Sequence, residues 1–507
     1  MSIRISRKSF GINSILFQII AGAFLGLLLG LASSWLTLEL VFVGLILILL
    51  AYAVLKKPEI GLLGILIATS SIIYEDQLPR ISVGISFHVS DILLLGLLGI
   101  ILLRWVAEPD FALIKTPLDL PIFVFLGISL LSTAIALYNT SDLSVEFEFA
   151  RRALRVFSYY LTFFVVTNLL RDRRQLNFLL KSLYILATIV ALAIVLQFVL
   201  GSSVQLLPGR VETLSTQDTA YEDITRVLPP GWSVVLVSFL VMLPMLVFEK
   251  ASPKSWLKFI QICIFGMALI FTFLRSYWAV LSMAFLLMIY LFRGKDRKKI
   301  IGVGGIAVFL ATMILLVIST DPGSRPAKLV TASFDRLYTL FDSGTFQGQD
   351  SSLNWRMVEN EYAIAAIEAN PWLGLGLGFQ YRPWDPRIDR PDPEGDNYDF
   401  RRHIHNGHFW ILLQSGLLGY LSLIWLSLAF LLRGFRNWRH IQNHRLRSVV
   451  LGFSLTYLAV FIAAVANSSF TQWRWTPLLG IMMGVNEIII MKSNQKTFSS
   501  NVKGQRC

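Results

Sequence analysis

Long apolar runs, separated by short connections that carry charge, proline or glycine, are the main pattern in this sequence. A run of about 18 to 20 apolar residues is long enough to cross the hydrocarbon core of a bilayer as a helix. The pattern predicts an all-α, polytopic integral membrane protein with about 12 to 14 transmembrane helices. The predicted spans lie near residues 14–33, 36–55, 59–74, 88–106, 117–138, 153–170, 178–200, 231–248, 256–274, 276–292, 300–319, 406–432, 447–467 and 474–491.

Arg275 lies at the centre of an apolar stretch from residue 256 to residue 292. One helix of that length would reach about 55 Å, well beyond the thickness of a bilayer. A tight helical hairpin at Arg275 is therefore the predicted structure.

Composition supports a membrane protein and excludes an ordinary cytosolic enzyme. Of 507 residues, 55% are apolar and 15% are charged, and the mean hydropathy is +0.63, whereas soluble domains carry about 25% charged residues. The net charge of +13 is concentrated in every second connection, which agrees with the positive-inside rule. Both termini are therefore predicted to be cytoplasmic. A cleaved signal peptide at residues 1–34 is the alternative.

The predicted organisation has four parts. Residues 1–319 form the N-terminal transmembrane helices, 320–404 a long external loop, 405–491 the C-terminal transmembrane helices and 492–507 a cytoplasmic tail. Within the loop, Trp355, Val358, Tyr362, Ala365 and Ala366 have helical spacing, and this predicts an amphipathic helix from Asn354 to Ala369. The Pro- and Asp-rich segment 381–399 is expected to be extended and turn-like.

Arginine, rather than lysine, dominates the positive charge on the predicted outer side. Because a planar guanidinium binds phosphate or carboxylate with two hydrogen bonds, this excess indicates an anionic ligand. Arg210, Arg226 and Arg275 lie near predicted membrane ends with few acids nearby and are candidates for ligand contact. Two other groups are expected to pair with acids: Arg382, Arg387 and Arg390 within the loop, and Arg151, Arg152 and Arg155 with Glu146 and Glu148.

Three histidines lie within six residues, at positions 403, 405 and 408, at the predicted outer mouth of a helix. Histidine accepts a proton near neutral pH, so one of them is a candidate general base. Helix capping by this segment is a structural alternative. A metal site is a third alternative, but it would need further ligands at suitable spacing.

The segment from His405 resembles a known family. His405–Asn406 followed by nine residues, Gly416, two residues and Gly419 is similar to the pattern of the O-antigen ligase family. Asn354–Trp355–Arg356, Asn370 to Gly378 and Leu274 to Trp278 resemble the family as well. The resemblance implies a GT-C-like membrane fold at the outer face of the bacterial inner membrane. It also implies transfer of a glycan from undecaprenyl diphosphate to an acceptor hydroxyl, without a nucleotide sugar, a cofactor or an essential metal.

Diphosphate is a good leaving group once its developing charge is neutralised, which arginine can do. With the resemblance, this predicts His405 as the base that deprotonates the acceptor, and Arg356 and Arg275 as the groups that neutralise the diphosphate. Arg210 and Arg226 are expected to assist, and Arg155 is a further substrate-binding candidate. Asn406 either orients the glycan or caps the helix that begins there. The expected partners are the lipid-linked donor, a glycan or lipid acceptor and membrane lipids, with no nucleic acid.

Two other functions remain open. A polymerase of the same superfamily is one, but the Arg-x10-Gly and Arg-x15-Gly motifs of polymerases are absent, since Tyr221 and Trp372 occupy the glycine positions. This favours a ligase. A bicarbonate-type transporter is the other, and it would be expected to place polar groups near the membrane midplane. Charged residues such as Asp91 and Glu487 lie near predicted span ends instead, where we expect them to reach interfacial water.

Overall fold

The computed structural model describes residues 51–78, 80–83, 85–207, 210–215, 220–249, 255–318, 325–338, 351–389 and 400–504. Contacts divide the chain into two compact units, residues 1–60 and 61–507. The predicted span 14–33 and most of 36–55 lie outside the described residues, while residues 51–56 are helical.

Helices account for most of the described chain. They are α1 (Pro58–Ser70), α2 (Val89–Ala107), α3 (Asp119–Asn139), α4 (Leu143–Ser158), α5 (Thr162–Leu169), α6 (Arg173–Leu200), α7 (Trp232–Phe248), α8 (Ser255–Phe271), α9 (Arg275–Leu291), α10 (Gly294–Ile318), α11 (Arg325–Tyr338), α12 (Ser351–Ala369), α13 (Gly407–Asn437), α14 (His444–Ala463) and α15 (Thr476–Gly504). Two antiparallel hairpins, β1 (Arg80–Val83) with β2 (Ile85–His88) and β3 (Arg210–Ser215) with β4 (Ala220–Leu228), were not expected from the apolar pattern.

Five helices of the described chain, α2, α3, α6, α13 and α14, are long and apolar enough to cross a membrane. The helices α1, α7, α8 and α9 are apolar but shorter. The protein is therefore an all-α polytopic membrane protein, as predicted.

The turn at Arg275 is confirmed. Helix α8 ends at Phe271 and α9 begins at Arg275, and Phe273 between them has a positive φ of 50°. A left-handed residue interrupts a helix, so the apolar stretch is divided into two helices here, while their packing as a tight hairpin stays a prediction.

The predicted span over residues 153–170 is helical as far as Leu169 but has an irregularity that the apolar pattern did not predict. A 3-10 turn at Tyr159–Leu161 separates α4 from α5. Two buried hydroxyls hold the turn: Tyr159 donates to Asp91 Oδ1 at 2.7 Å and Tyr160 to the Phe470 carbonyl at 3.1 Å. Hydropathy does not reveal this break, because both tyrosines count as apolar in a span search.

The core forms around α7, nearly all of whose residues are buried. It packs closely on α14, where a Cβ at Gly452 would lie 2.5 Å from Val241 Cα. Small residues allow such close approach of membrane helices.

The expectation that Asp91 and Glu487 reach interfacial water is wrong. Both are buried, Glu487 completely. Glu487 accepts two hydrogen bonds of 2.7 Å from Arg433, and Asp91 accepts one of 2.8 Å from Arg155. A buried carboxylate paired in this way does not need water.

Candidate active site

Helix α13 is broken at Gly416, a residue of the His–Asn–Gly–Gly pattern. Gly416 has φ 63° and ψ −168°, a conformation that glycine alone adopts without strain. A Cβ at this position would lie 2.2 Å from the carbonyl oxygen of Trp372. Glycine is therefore required both by the backbone angle and by the neighbouring chain.

The segment 371–378 crosses α13 at this break and replaces the hydrogen bonds that the helix loses. Two amides of the segment donate to α13 carbonyls, Leu375 to Leu413 at 2.7 Å and Gly376 to Gln414 at 3.0 Å. In return, the Leu417 amide donates to the Pro371 carbonyl at 2.7 Å. These bonds hold the C-terminal end of α12 against the first half of α13.

Helix α12 confirms the helix predicted from Asn354 to Ala369, although its buried face differs slightly. Val358 and Ala363 are buried, whereas Ala365 is exposed. Glu359 lies on the buried face and is only 2% exposed. The predicted stripe contained only apolar residues and therefore missed this carboxylate.

Glu359 is bound to His405, which precedes α13. The Nδ1 atom of His405 lies 2.9 Å from Glu359 Oε2 and 3.1 Å from Oε1, and the His405 amide donates to Oε2 at 3.0 Å. The Trp355 indole donates to Oε1 at 2.8 Å. A single carboxylate thus fixes both the ring and the backbone of His405.

These contacts determine the tautomer of His405. Burial raises the pKa of Glu359, but the hydrogen bonds from His405 and Trp355 outweigh it, and the net shift lowers the pKa. An ionised carboxylate only accepts hydrogen bonds, so Nδ1 carries the proton and donates it. Nε2 is then left with a lone pair, and no described residue forms a hydrogen bond with it. The side chain is 42% exposed, so a substrate can reach it.

The other two histidines have different partners. His403 Nε2 lies 3.4 Å from Ser468 Oγ, and burial is the main reason that its pKa is lowered to about 4. His408 Nε2 lies 2.9 Å from the Phe461 carbonyl. Among the described residues, no group of three or more His, Cys, Asp or Glu could hold a metal ion.

Asn406 caps α13, as one of its two predicted roles required. Its side-chain oxygen accepts hydrogen bonds from the amides of His408 at 3.0 Å and Phe409 at 3.2 Å. The cap fixes the direction in which the chain leaves His405.

Arg226 and Arg275 both lie at the turn between α8 and α9. Arg226 Nε donates to the Thr272 carbonyl at 3.2 Å, and its Nη1 forms a 3.0 Å ion pair with Glu212. Arg275 is the first residue of α9 and is half-buried. Arg210 begins β3, but its side chain lies outside the described part of the structure.

The segment between α14 and α15 connects this turn to the histidines. Asn467 donates to Ser276 Oγ at 2.7 Å, next to Arg275. The Gly407 amide donates to the Ala464 carbonyl at 2.7 Å. We call the end of the bundle formed by residues 272–277, 403–408 and 464–476 the histidine end.

Arg356 lies on α12, three residues before Glu359, and is half-buried. Residues three apart share one side of a helix, so Arg356 and Glu359 are neighbours on α12. Arg356 is thereby placed on the helix that holds His405.

Arg155 is paired with carboxylates other than the predicted ones. It forms ion pairs with Glu75 and, at 2.8 Å, with Asp91, while Glu146 binds Arg402. The expected pairing of Arg152 with Glu148 is confirmed. Two carboxylates around one guanidinium favour a structural role for Arg155.

The loop arginines pair with loop acids, as predicted. Arg382 is fully buried and makes two hydrogen bonds to Asp389, at 2.6 and 2.8 Å. Arg387 binds Asp385 at 2.7 Å. Arg390 lies outside the described residues, whereas residues 381–389 form turns without a helix or strand, as expected.

Comparison with known proteins agrees with the residue pattern. A search of curated proteins finds no match. Residues 260–424 match the family model described as O-Antigen ligase, and this range contains Arg275, Arg356, Glu359, His405 and both glycines of the pattern. The described helices make the chain a multi-pass membrane protein, and its residues 260–424 are similar to the O-antigen ligase family, which supports a membrane glycosyltransferase activity of the ligase or polymerase type on lipid-linked glycans.

Proposed function

We propose that this protein transfers a glycan from undecaprenyl diphosphate to an acceptor hydroxyl at the outer face of the bacterial inner membrane, as an O-antigen ligase. The observation that carries the proposal is the hydrogen bond between His405 Nδ1 and the buried Glu359 carboxylate, at 2.9 Å. It leaves Nε2 of this side chain, which is 42% exposed, as a proton acceptor.

In the proposed step, Nε2 of His405 takes the proton of the acceptor hydroxyl. The acceptor oxygen attacks the anomeric carbon, and the bond from that carbon to the phosphate oxygen breaks. Undecaprenyl diphosphate leaves with the bonding electrons, and the new glycosidic bond joins glycan and acceptor. Glu359 stabilises the imidazolium that forms, as a carboxylate partner does in other histidine bases.

The leaving diphosphate gains negative charge during this step, and preorganised cations stabilise it most effectively. Arg275 and Arg356 are assigned this role because one begins α9 at the histidine end and the other lies on the helix that carries Glu359. Arg226 and Arg210 assist from the hairpin of β3 and β4. Arg226 is held against the α8–α9 turn by its bond to Thr272.

The test is a transfer assay with the purified full-length protein, a lipid-linked glycan and two acceptors, a lipid A core and a second lipid-linked glycan. His405→Ala is expected to abolish transfer while the protein still inserts into membranes. His444→Ala is the matched control, because His444 is exposed at the opposite end of α14. Full transfer by His405→Ala at normal expression would overturn the assignment, and elongation of the lipid-linked glycan in place of lipid A core modification would identify a polymerase.

A further inference from the structure

Arg474 is a partly buried cation in the segment between α14 and α15. Its backbone carbonyl accepts hydrogen bonds from Ser70 at 3.0 Å and Ser233 at 3.4 Å, which fix the chain at this point. Its guanidinium carbon lies 5.9 Å from the centre of the Trp473 ring. Nε is completely enclosed, and within the described residues it has no hydrogen-bond partner.

Arg447, which lies between the rings of Phe248 and Trp438, likewise has an enclosed Nε without a hydrogen-bond partner among the described residues, but several other arginines of the described chain have a carboxylate partner. Arg382 binds Asp389, Arg402 binds Glu146 and Arg433 binds Glu487. For Arg474, no described carboxylate lies within ion-pair distance, and burial lowers the pKa of its guanidinium. An enclosed charge without a counterion is unfavourable for folding, and costs of this kind are typical of ligand sites.

A second polar group without a partner lies two residues further along. Thr476 is completely buried, and its Oγ1 atom has no hydrogen-bond partner among the described residues. Thr476 is also the first residue of α15. The N-terminus of a helix carries a partial positive charge and favours anions.

Both residues belong to the histidine end. Ser468 Oγ lies 3.4 Å from His403 Nε2 and accepts a 3.2 Å hydrogen bond from Gln472. Ser469 Oγ lies 2.7 Å from the hydroxyl of Tyr277, two residues after Arg275. The segment that ends at Arg474 therefore contacts both the histidine loop and the start of α9.

We propose that Arg474 and the Thr476 hydroxyl bind the diphosphate of the lipid-linked donor. The inference rests on the proposed function and adds two binding residues to it. A diphosphate has several acceptor oxygens and would supply the counterion that Arg474 lacks, together with an acceptor for the Thr476 hydroxyl. An anionic phospholipid headgroup offers related chemistry, so the experiment has to separate the two ligands.

The experiment measures binding of undecaprenyl diphosphate to the full-length protein in nanodiscs of neutral lipid. Arg474→Gln is expected to raise the Kd at least about tenfold, because a hydrogen-bonded charge is lost. Thr476→Val is expected to raise it a few-fold, about the effect of one neutral hydrogen bond. Arg439→Gln is the matched control. Arg439 lies at the opposite end of α14, and its guanidinium is 5.1 Å from the ring of Trp438. The Kd of the Arg439→Gln variant should equal that of the wild type.

Thermal unfolding of the ligand-free variants separates binding from a structural role. Because the substitution removes a cation that lacks a counterion, the melting temperature of ligand-free Arg474→Gln should be at least as high as that of the wild type. The increase in melting temperature on addition of undecaprenyl diphosphate should be smaller in the variant. A less stable ligand-free variant with an unchanged Kd would show a structural arginine and overturn the proposal. If Arg474→Gln does not fold, Arg474→Lys replaces it; a several-fold higher Kd supports the proposal and an unchanged Kd overturns it.

The remaining outcomes distinguish this inference from the proposed function. Wild-type protein that binds no undecaprenyl diphosphate would contradict both. Normal binding by Arg474→Gln, together with loss of transfer in His405→Ala, would contradict the inference alone. A parallel titration with phosphatidylglycerol provides the last arm: if Arg474→Gln weakens only phosphatidylglycerol binding, the residue recognises a headgroup and the inference is wrong.

Discussion

His405 and Glu359 are 46 positions apart in the chain, yet the imidazole Nδ1 lies 2.9 Å from the carboxylate Oε2. The carboxylate is buried, and the imidazole is partly exposed. Proton acceptors in enzymes are commonly oriented in this way, with one ring nitrogen bound to the protein and the other directed to the substrate.

Glu359→Gln is expected to lower kcat by about a hundredfold or more. The amide of glutamine can donate to Nδ1, which favours the tautomer with the proton on Nε2 and removes the base. Steady-state transfer rates measure the effect. Glu361→Gln on the same helix is the control, since Glu361 is exposed; equal rates for both variants would exclude Glu359 from the mechanism.

Arg356→Lys is expected to lower kcat/KM at least about tenfold, although the charge is retained, because lysine cannot make two parallel hydrogen bonds to phosphate. The matched control is Arg387→Lys. Arg387 is about half-exposed and pairs with Asp385, and exposed ion pairs contribute little. A near-normal rate for Arg356→Lys would show that this arginine is structural.

The pKa of His403 gives a pH-dependent prediction. Its pKa is lowered from 6.5 to about 4, first by burial and then by the neighbouring His405. As the pH falls below 6.5 the unfolded chain binds a proton here, while the folded protein does so only near pH 4. The free energy of unfolding should therefore decrease as the pH falls through this window.

In His403→Gln that contribution is absent. The difference in melting temperature between about pH 7.5 and about pH 5 should be smaller in the variant than in the wild type. His444→Gln is the control, because His444 is exposed. The same pH dependence in His403→Gln and the wild type would contradict the prediction.

Gly416→Ala is expected to destabilise the protein by at least about 2 kcal/mol, because the left-handed backbone and the contact with the Trp372 carbonyl both reject a Cβ. Thermal unfolding and the yield of folded protein measure the loss. Gly99→Ala in α2 is the control, since a Cβ there meets no atom within 4 Å. Comparable stability of the two variants would contradict the prediction, because it would mean that the backbone of α13 at residue 416 can accommodate a Cβ atom.

Much of the fold was accessible from hydropathy because membrane helices must satisfy their backbone internally and be long and apolar. A charged residue in an apolar stretch too long for one span was enough to locate the turn at Arg275. The 3-10 turn at Tyr159 could not be located from the sequence, because it depends on hydrogen-bond partners of the tyrosine hydroxyls that lie on distant segments. The two β-hairpins also lie in connections, which hydropathy does not describe.

The candidate site was predictable where its residues are close in sequence. His405, Asn406 and the two glycines form one pattern, and the cap at Asn406 follows from residue type. Glu359 could have been suspected as an acid four residues after Trp355, on the apolar side of a predicted helix. Its partner could not be named, because that requires the tertiary placement of α12 against α13. Arg474 shows the same limit, since the lack of a counterion is visible only when the neighbours are known.

The junction at Gly416 has a consequence for how this region can vary. Apart from the bond between the Gly378 amide and the Gln414 side chain, the bonds that join segment 371–378 to α13 are between main-chain groups, which nearly every amino acid provides. Apart from the glycines that permit close approach, the junction therefore constrains the number of residues between Asn370 and Gly378 more than their identities. Substitutions in this segment should be tolerated far better than the insertion or deletion of a single residue, which would shift each donor away from its acceptor.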